Sequence, residues 1–185
     1  MTTPAFQCVY GDLRTPLGRI LTQGDKALDL ASKTVEFTLY PERSTTVAVA
    51  WTSTGVTVEP TFTFTATAAT DRLTAAEHGL ADGAEVMVSS STTLPAGLAA
   101  SQRYYVRDAR PNDFRLAETL GGDAVDVTGT GTGTHTCRPL GRVNYDFQTA
   151  HAAGRYRGRF RINESSQYTT FPAAGWIVIE IAPAT

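Results

Sequence analysis

The sequence predicts an all-β fold, and three observations carry that reading. Around residues 155–162 the chain alternates strictly, with Tyr156, Gly158, Phe160 and Ile162 on one parity and Arg155, Arg157, Arg159 and Arg161 on the other. Successive strand side chains face opposite sides of a sheet, so this is a strand with one buried and one solvated face. Short alternating stretches of the same kind recur along the chain between Gly, Pro and Asp, which is the spacing of a β-sandwich. Helical periodicity is weak, and residues 96–102 offer the only candidate for a helical turn or two.

Taken in order, residues 6–10 form a short first strand ended by Gly11 and Asp12, and a second apolar segment runs from Thr15 to Leu21. Gly24 and Asp25 mark a turn, and residues 27–32 read as a connector. Val35, Phe37 and Leu39 then alternate with Glu36, Thr38 and Tyr40 in an amphipathic strand stopped by Pro41. Val47, Val49 and Trp51 make the next strand, and Thr54 and Gly55 turn into residues 56–58. Beyond residue 140, Val143, Tyr145 and Phe147 alternate with Asn144, Asp146 and Gln148. The arginine strand follows, then a polar turn at Asn163, Glu164, Ser165 and Ser166. The final strand, residues 176–181, is β-branched and suits deeper burial.

The character changes near Pro60. Residues 61–138 read as a separate compact module of about half a dozen short strands, each set off by a Gly- or Pro-bearing turn. The expected organisation is therefore a discontinuous outer sandwich, residues 1–60 and 139–185, carrying an inserted β module at residues 61–138. Insertion at a loop is tolerated where the host chain's ends lie close together.

At 185 residues the chain is long enough for one large β domain or two small ones. Hydrophobic residues make up 42% and charged residues 18%, enough apolar material for a core and too little charge for a disordered chain. Arginine far outnumbers the two lysines, Lys26 and Lys33, a skew that reads as codon bias in a GC-rich genome. A formal charge of -2 gives no general electrostatic reason to bind nucleic acid or an anionic membrane. Cys8 and Cys137 lack metal-like spacing and would pair only if folding brings them together; isolated thiols are the preferred reading. The N-terminus has no basic start and no apolar h-region, and no apolar run approaches the roughly 18 residues that span a bilayer. The expectation is a soluble protein made in a cytoplasm.

Several residues invite a sharper reading. His78, with Glu77 and Asp82 nearby, has no accompanying nucleophile pattern and reads as a polar turn residue. His135 beside Cys137 reads as a strand end rather than a metal site. The Gly-Thr run over residues 129–134 lacks the GK[ST] ending and following helix of a phosphate cradle, and reads as a flexible strand or hairpin. Arg155, Arg157, Arg159 and Arg161 are either a solvated face or a surface for an acidic patch, since arginine favours bidentate carboxylate contacts. Trp51 and Trp176 read as core residues. Tyr104 and Tyr105 are neighbours in a strand, so one of them faces outward and is an interface candidate.

The outer pieces together resemble a known family. A Pro-Leu opening strand, the Leu-Asp-Leu-Ala-Ser connector, the Val-Glu-Phe-Thr-Leu-Tyr strand and Val-Asn-Tyr-Asp-Phe are followed by Ala153, Gly154, Tyr156 and Phe160, then Thr170, Phe171 and Pro172. This is similar to the Ig-like N-terminal domain of bacteriophage baseplate upper proteins and related virion proteins. The inserted piece, through His78-Gly79-Leu80, Asp82-Gly83, residues 94–98, residues 104–106 and residues 133–136, resembles small β modules of phage tail and fibre proteins. The resemblance implies an Ig-like β-sandwich with an inserted small β module, acting as a structural adaptor in the virion. Family members usually continue into a long C-terminal region, so the end at Thr185 leads to the expectation of a stand-alone virion component.

The resulting expectation is a non-enzymatic virion structural protein at the tail or baseplate, made in the host bacterial cytoplasm, with no cofactor and no catalytic or metal site. Its partners would be other virion proteins, in a homo-oligomer or symmetric array, without nucleic acid or membrane. The alternatives are a capsid-surface decoration protein and a host-glycan-binding module using Tyr104, Tyr105 or loop residues near Asp82.

Overall fold

A computed structural model describes residues 6–9, 15–164 and 167–183. Tyr10, Gly11 and Asp12 of the first predicted strand and turn, and Ser165 and Ser166 of the later turn, lie outside them. The described residues form an all-β protein with no helix. The chain divides into two compact units, Met1–Val58 with Gly141–Thr185, and Glu59–Leu140.

The first unit contains β1 (Phe6–Val9), β2 (Leu17–Ile20), β3 (Thr22–Gln23), β4 (Lys26–Ala27), β5 (Thr34–Pro41), β6 (Val49–Thr52) and β7 (Val56–Val58). The second contains β8 (Phe62–Thr67), β9 (Arg72–Thr74), β10 (Glu85–Ser90), β11 (Arg103–Arg110), β12 (Asp113–Ala117) and β13 (His135–Pro139). The chain then completes the first unit with β14 (Arg142–Tyr145), β15 (Gly154–Glu164), β16 (Gln167–Phe171) and β17 (Ile177–Ala182).

In the first unit one sheet runs β1-β17-β15-β5-β6, with β16 also paired to β15. A second sheet runs β2-β14-β7, and β3 with β4 makes a small hairpin. The two sheets feed a single core. Val35, Phe37, Leu39, Phe160, Ile162, Ile177 and Ile179 come from the larger sheet, and Leu17, Val143 and Tyr145 from the smaller. Its centre is aromatic: the Phe37 ring stacks on Tyr145 at 4.1 Å and meets Phe160 at 4.9 Å. Burying side chains of this size stabilises by roughly 1.5–3 kcal/mol each. The first and last strands lie side by side, β1 parallel to β17, with Phe6 opposite Ile179.

Gly158 explains why the arginine strand packs so tightly there. A Cβ on it would lie 2.7 and 2.9 Å from Phe37 ring atoms and 3.1 Å from Ile179 Cδ1. Only glycine lets β15 approach the ring at that point.

The second unit is a closed barrel of six antiparallel strands, in the order β10-β11-β12-β9-β8-β13. Closure removes the exposed edges that short strands would otherwise leave. Phe64, Leu73, Val86, Val88, Tyr104, Val106, Phe114, Leu116 and Cys137 fill it. Its first and last strands are hydrogen-bonded neighbours, with Phe62 opposite Cys137. In the first unit, the strands flanking the crossover are neighbours too, with Val58 opposite Val143.

Several expectations change. Residues 96–102 form two separate turns, at 96–97 and 100–101, rather than a helical segment; Gly97 takes φ 101°, and the first turn closes from Leu98 N–H to the Pro95 carbonyl. The Gly-Thr run is held rather than flexible: Thr132 and Thr93 exchange backbone hydrogen bonds of 2.9 and 3.1 Å. His78, read as a polar turn residue, is buried beside the turn at residues 76–77. It is 6% exposed, packed on Phe62 and Phe114, and its Nδ1 accepts the Leu80 N–H at 3.0 Å. Accepting at Nδ1 puts the neutral ring's proton on Nε2.

Candidate interaction surface

The outward parity of β15 carries Arg155, Arg157, Arg159 and Arg161, all of them half-buried. What partly covers them follows from strand register. On β5, Tyr40 lies opposite Arg157, Thr38 opposite Arg159 and Glu36 opposite Arg161. On β17, Glu180 lies opposite Arg155 and Val178 opposite Arg157. On β16, Thr170 lies opposite Arg161.

Arg157, Arg159 and Arg161 stack on aromatic rings instead of extending into water. The Arg159 guanidinium carbon sits 4.5 Å from the Trp176 ring centroid, and that of Arg157 sits 4.9 Å from Trp176 and 5.7 Å from Tyr40. Arg161 lies 4.3 Å from Trp51 and 4.0 Å from Tyr168. Contacts within about 6 Å of a ring centroid are attractive, by roughly 0.5–1 kcal/mol when exposed and more when desolvated. Trp51 and Trp176 are therefore not core residues as expected. Both are half-buried platforms on the outer face, because the inner parity is already filled by Phe37, Phe160 and the isoleucines.

The charges divide the four arginines into two kinds. Arg161 Nε donates to Glu36 at 2.7 Å, and Arg155 lies 3.6 Å from Glu42. Arg157 and Arg159 instead donate to backbone carbonyls, to Ser44 at 3.1 Å and Gly175 at 2.8 Å. Among the described residues neither has a carboxylate within ion-pair distance. Two uncompensated guanidinium groups are thus fixed by a shared tryptophan, each with further donors available.

Trp176 also borders a cavity of about 460 Å³, lined in part by Ile20, Leu21, Phe171, Pro172 and Arg19. Ile20 is 58% exposed at its rim, and burial lowers the Arg19 guanidinium below its ordinary value. The surface is therefore mixed, with a stacked cationic face beside an apolar hollow, a composition suited to protein docking.

The other predicted interface residues fare differently. Tyr104 is no surface residue: it is fully buried in the barrel, where its hydroxyl accepts the Ala99 N–H at 2.8 Å. The inward parity of β11 requires this, since Val106 on the same parity is also in the core. Tyr105 takes the outward parity and is half-buried. Asp82 ties the β9–β10 loop to β11, accepting the Ala109 N–H at 2.8 Å.

His135 is held at both nitrogens, 3.0 Å from Ser90 Oγ and 2.9 Å from the Thr130 carbonyl. Neither Cys8 nor Cys137 is in a disulfide, and burial pushes the Cys137 thiol up to about 12. Among the described residues no group of three or more His, Cys, Asp or Glu side chains is placed to hold a metal ion.

Sequence reasoning missed the aromatic half of this surface. A signal existed for Tyr40, which shares outward parity with Glu36. None existed for Trp176 or Tyr168, whose places depend on strand pairing across the sheet. Comparisons with protein-family models, with curated proteins and with solved structures found no match.

Proposed function

We propose that this chain is a non-enzymatic structural component of a bacteriophage particle, an adaptor associated with the tail or baseplate and present in many copies. In this reading the first unit is an Ig-like sandwich, and the barrel is a module inserted between β7 and β14. The pairing of those two strands, and of β8 with β13, supports the insertion, since both sets of chain ends lie together. The placement in a virion rests on the sequence resemblance.

The observation that carries the docking role is the pair Arg157 and Arg159, stacked on Trp176 without a carboxylate partner. Such a face fits an acidic patch on a neighbouring virion protein, where each guanidinium would take a carboxylate in a forked contact. A single contact of this kind is weak, and repetition around a symmetric particle strengthens it. A site on the capsid lattice would use the same chemistry.

The test is incorporation into particles. Arg157→Glu with Arg159→Glu should cut copies per particle at least about tenfold, measured by quantitative mass spectrometry, while circular dichroism of the purified chain confirms its fold. Arg157→Lys with Arg159→Lys keeps the charge but loses the stacked fork, and should give an intermediate loss. Full incorporation of a folded charge-reversed variant would remove the proposed docking face.

A further inference from the structure

A second cluster of arginines lies on the barrel, on the adjacent strands β9, β12 and β11. Leu73, Phe114, Leu116, Tyr104 and Val106 point inward, so Arg72, Arg115 and Arg107 share the outer parity. Arg107 and Arg115 stand directly opposite each other across β11 and β12. Like charges in that position repel, and each arginine is also tied to a loop: Arg107 donates to the Gly122 carbonyl and Arg115 Nε to the Thr70 carbonyl at 3.0 Å.

The local carboxylates neutralise only part of the charge. Asp113 pairs with Arg72. Asp108 is shared, 3.3 Å from Arg115 and 3.5 Å from Arg107. Arg107 Nε is within ion-pair distance of that carboxylate but makes no hydrogen bond, and it is buried. The Arg110 backbone pairs with Asp113 across the ladder, while its exposed side chain makes no hydrogen bond or ion pair with another described residue. Four guanidinium groups thus lie beside Asp113 and Asp108, with the Asp82 carboxylate a third, held on the Ala109 N–H at 2.8 Å.

The backbone shapes a hollow at the same place. The β11–β12 register shifts between Arg107 and Arg110, and Asp108 takes φ 48°, a left-handed conformation uncommon outside glycine. Bulges of this kind re-aim side chains and recur beside functional sites. The resulting hollow, about 600 Å³, is lined by Thr70, Arg72, Asp108, Ala109, Arg110 and Arg115.

We infer that this hollow is a binding site for a small oxyanion, the carboxylate, sulfate or phosphate group of an acidic ligand. Arg110 supplies a complete unused fork, and Arg72 and Arg115 contribute the donors left over from their carboxylates and from the Asp108 and Thr70 carbonyls. Asp108 is the internal competitor: it occupies the donors that an incoming anion would take. This site lies on the second unit and is independent of the docking face on β15.

The test is calorimetric titration of the full chain with inorganic phosphate and, separately, with glucuronate, at constant ionic strength set with sodium chloride. Saturable binding in the phosphate arm assigns a phosphate or sulfate ligand, and in the glucuronate arm a carboxylate sugar. Arg110→Ala removes an exposed side chain outside the barrel core and should weaken binding at least about tenfold. Asp108→Asn keeps a residue that tolerates a positive φ and should tighten binding roughly threefold or more, because the competing carboxylate is gone. Absence of saturable binding in both arms, or affinities unchanged by both substitutions, would overturn the assignment.

Discussion

Gly158→Ala is a one-methyl perturbation whose cost can be worked from the packing around it. The new Cβ would lie 2.7 and 2.9 Å from two Phe37 ring atoms and 3.1 Å from Ile179 Cδ1, where ordinary contacts are 3.4–4 Å. The ring must shift by several tenths of an ångström, and it has little room to do so. Phe37 is fully buried, stacked at 4.1 Å on Tyr145 and set at 4.9 Å against Phe160. Overpacking of this kind costs about 1–3 kcal/mol, while replacing a strand glycine by alanine returns roughly 0.5–1 kcal/mol of conformational entropy. The net destabilisation spans about 0–2.5 kcal/mol and centres near 1 kcal/mol, which for a domain near 100 residues lowers Tm by about 4–8 °C. Trp51 and Trp176, the only two tryptophans, both lie in the first unit, so their fluorescence reports this unit's unfolding by itself. Phe37→Leu in the same background should recover part of the loss, as expected of residues in direct contact. An unchanged or raised Tm, or simple additivity of the two substitutions, would refute the packing argument.

Three further outcomes are expected. Native protein should react with a thiol reagent at Cys8 and not at Cys137, with the second thiol appearing only on unfolding in denaturant; fast labelling of both would contradict the burial of Cys137. The Cys137 thiol is raised from 9.0 to about 12 by burial. Its contribution is therefore complete below pH 9 and is lost as pH rises toward 12, because the unfolded chain releases that proton first. Denaturant titrations in this window should show a falling stability whose slope shrinks in Cys137→Ala. Glu36→Gln breaks the ion pair with Arg161, both side chains being about four-fifths buried. It should cost about 1 kcal/mol, read as a lower urea midpoint, and a change within error would mean that stacking on Trp51 and Tyr168 alone holds Arg161.

The all-β class and the facing of individual strands were legible in the sequence because parity is a local property. Alternation in residues 155–162 separated Phe160 and Ile162 from the arginines, and the same rule separated Phe37 from Glu36 and Tyr40. Parity does not say which strand lies alongside. The Glu36–Arg161 pair joins residues 125 apart in sequence, and Trp176 reaches Arg157 and Arg159 only once β17 pairs with β15. The tryptophans were misread as core for that reason: residue type favours burial, while the core positions had already been taken by Phe37, Phe160 and Ile179. Barrel closure was hidden in the same way, since β13 must pair with both β8 and β10. The burial of His78 was not legible, because its ring packs on Phe62 and Phe114, which are distant in sequence. The opposed Arg107 and Arg115 required the β11–β12 register before their proximity was visible.

The central claim is that the stacked arginine face docks this chain onto a virion. Cryo-electron microscopy of the intact particle that encodes it tests this most directly. Repeated copies are expected on the tail or baseplate, with Arg157, Arg159 and Trp176 against acidic residues of a neighbouring protein. Copies on the capsid lattice would move the docking site while keeping its chemistry. A particle without this chain, or one in which that face points into solvent, would contradict the claim.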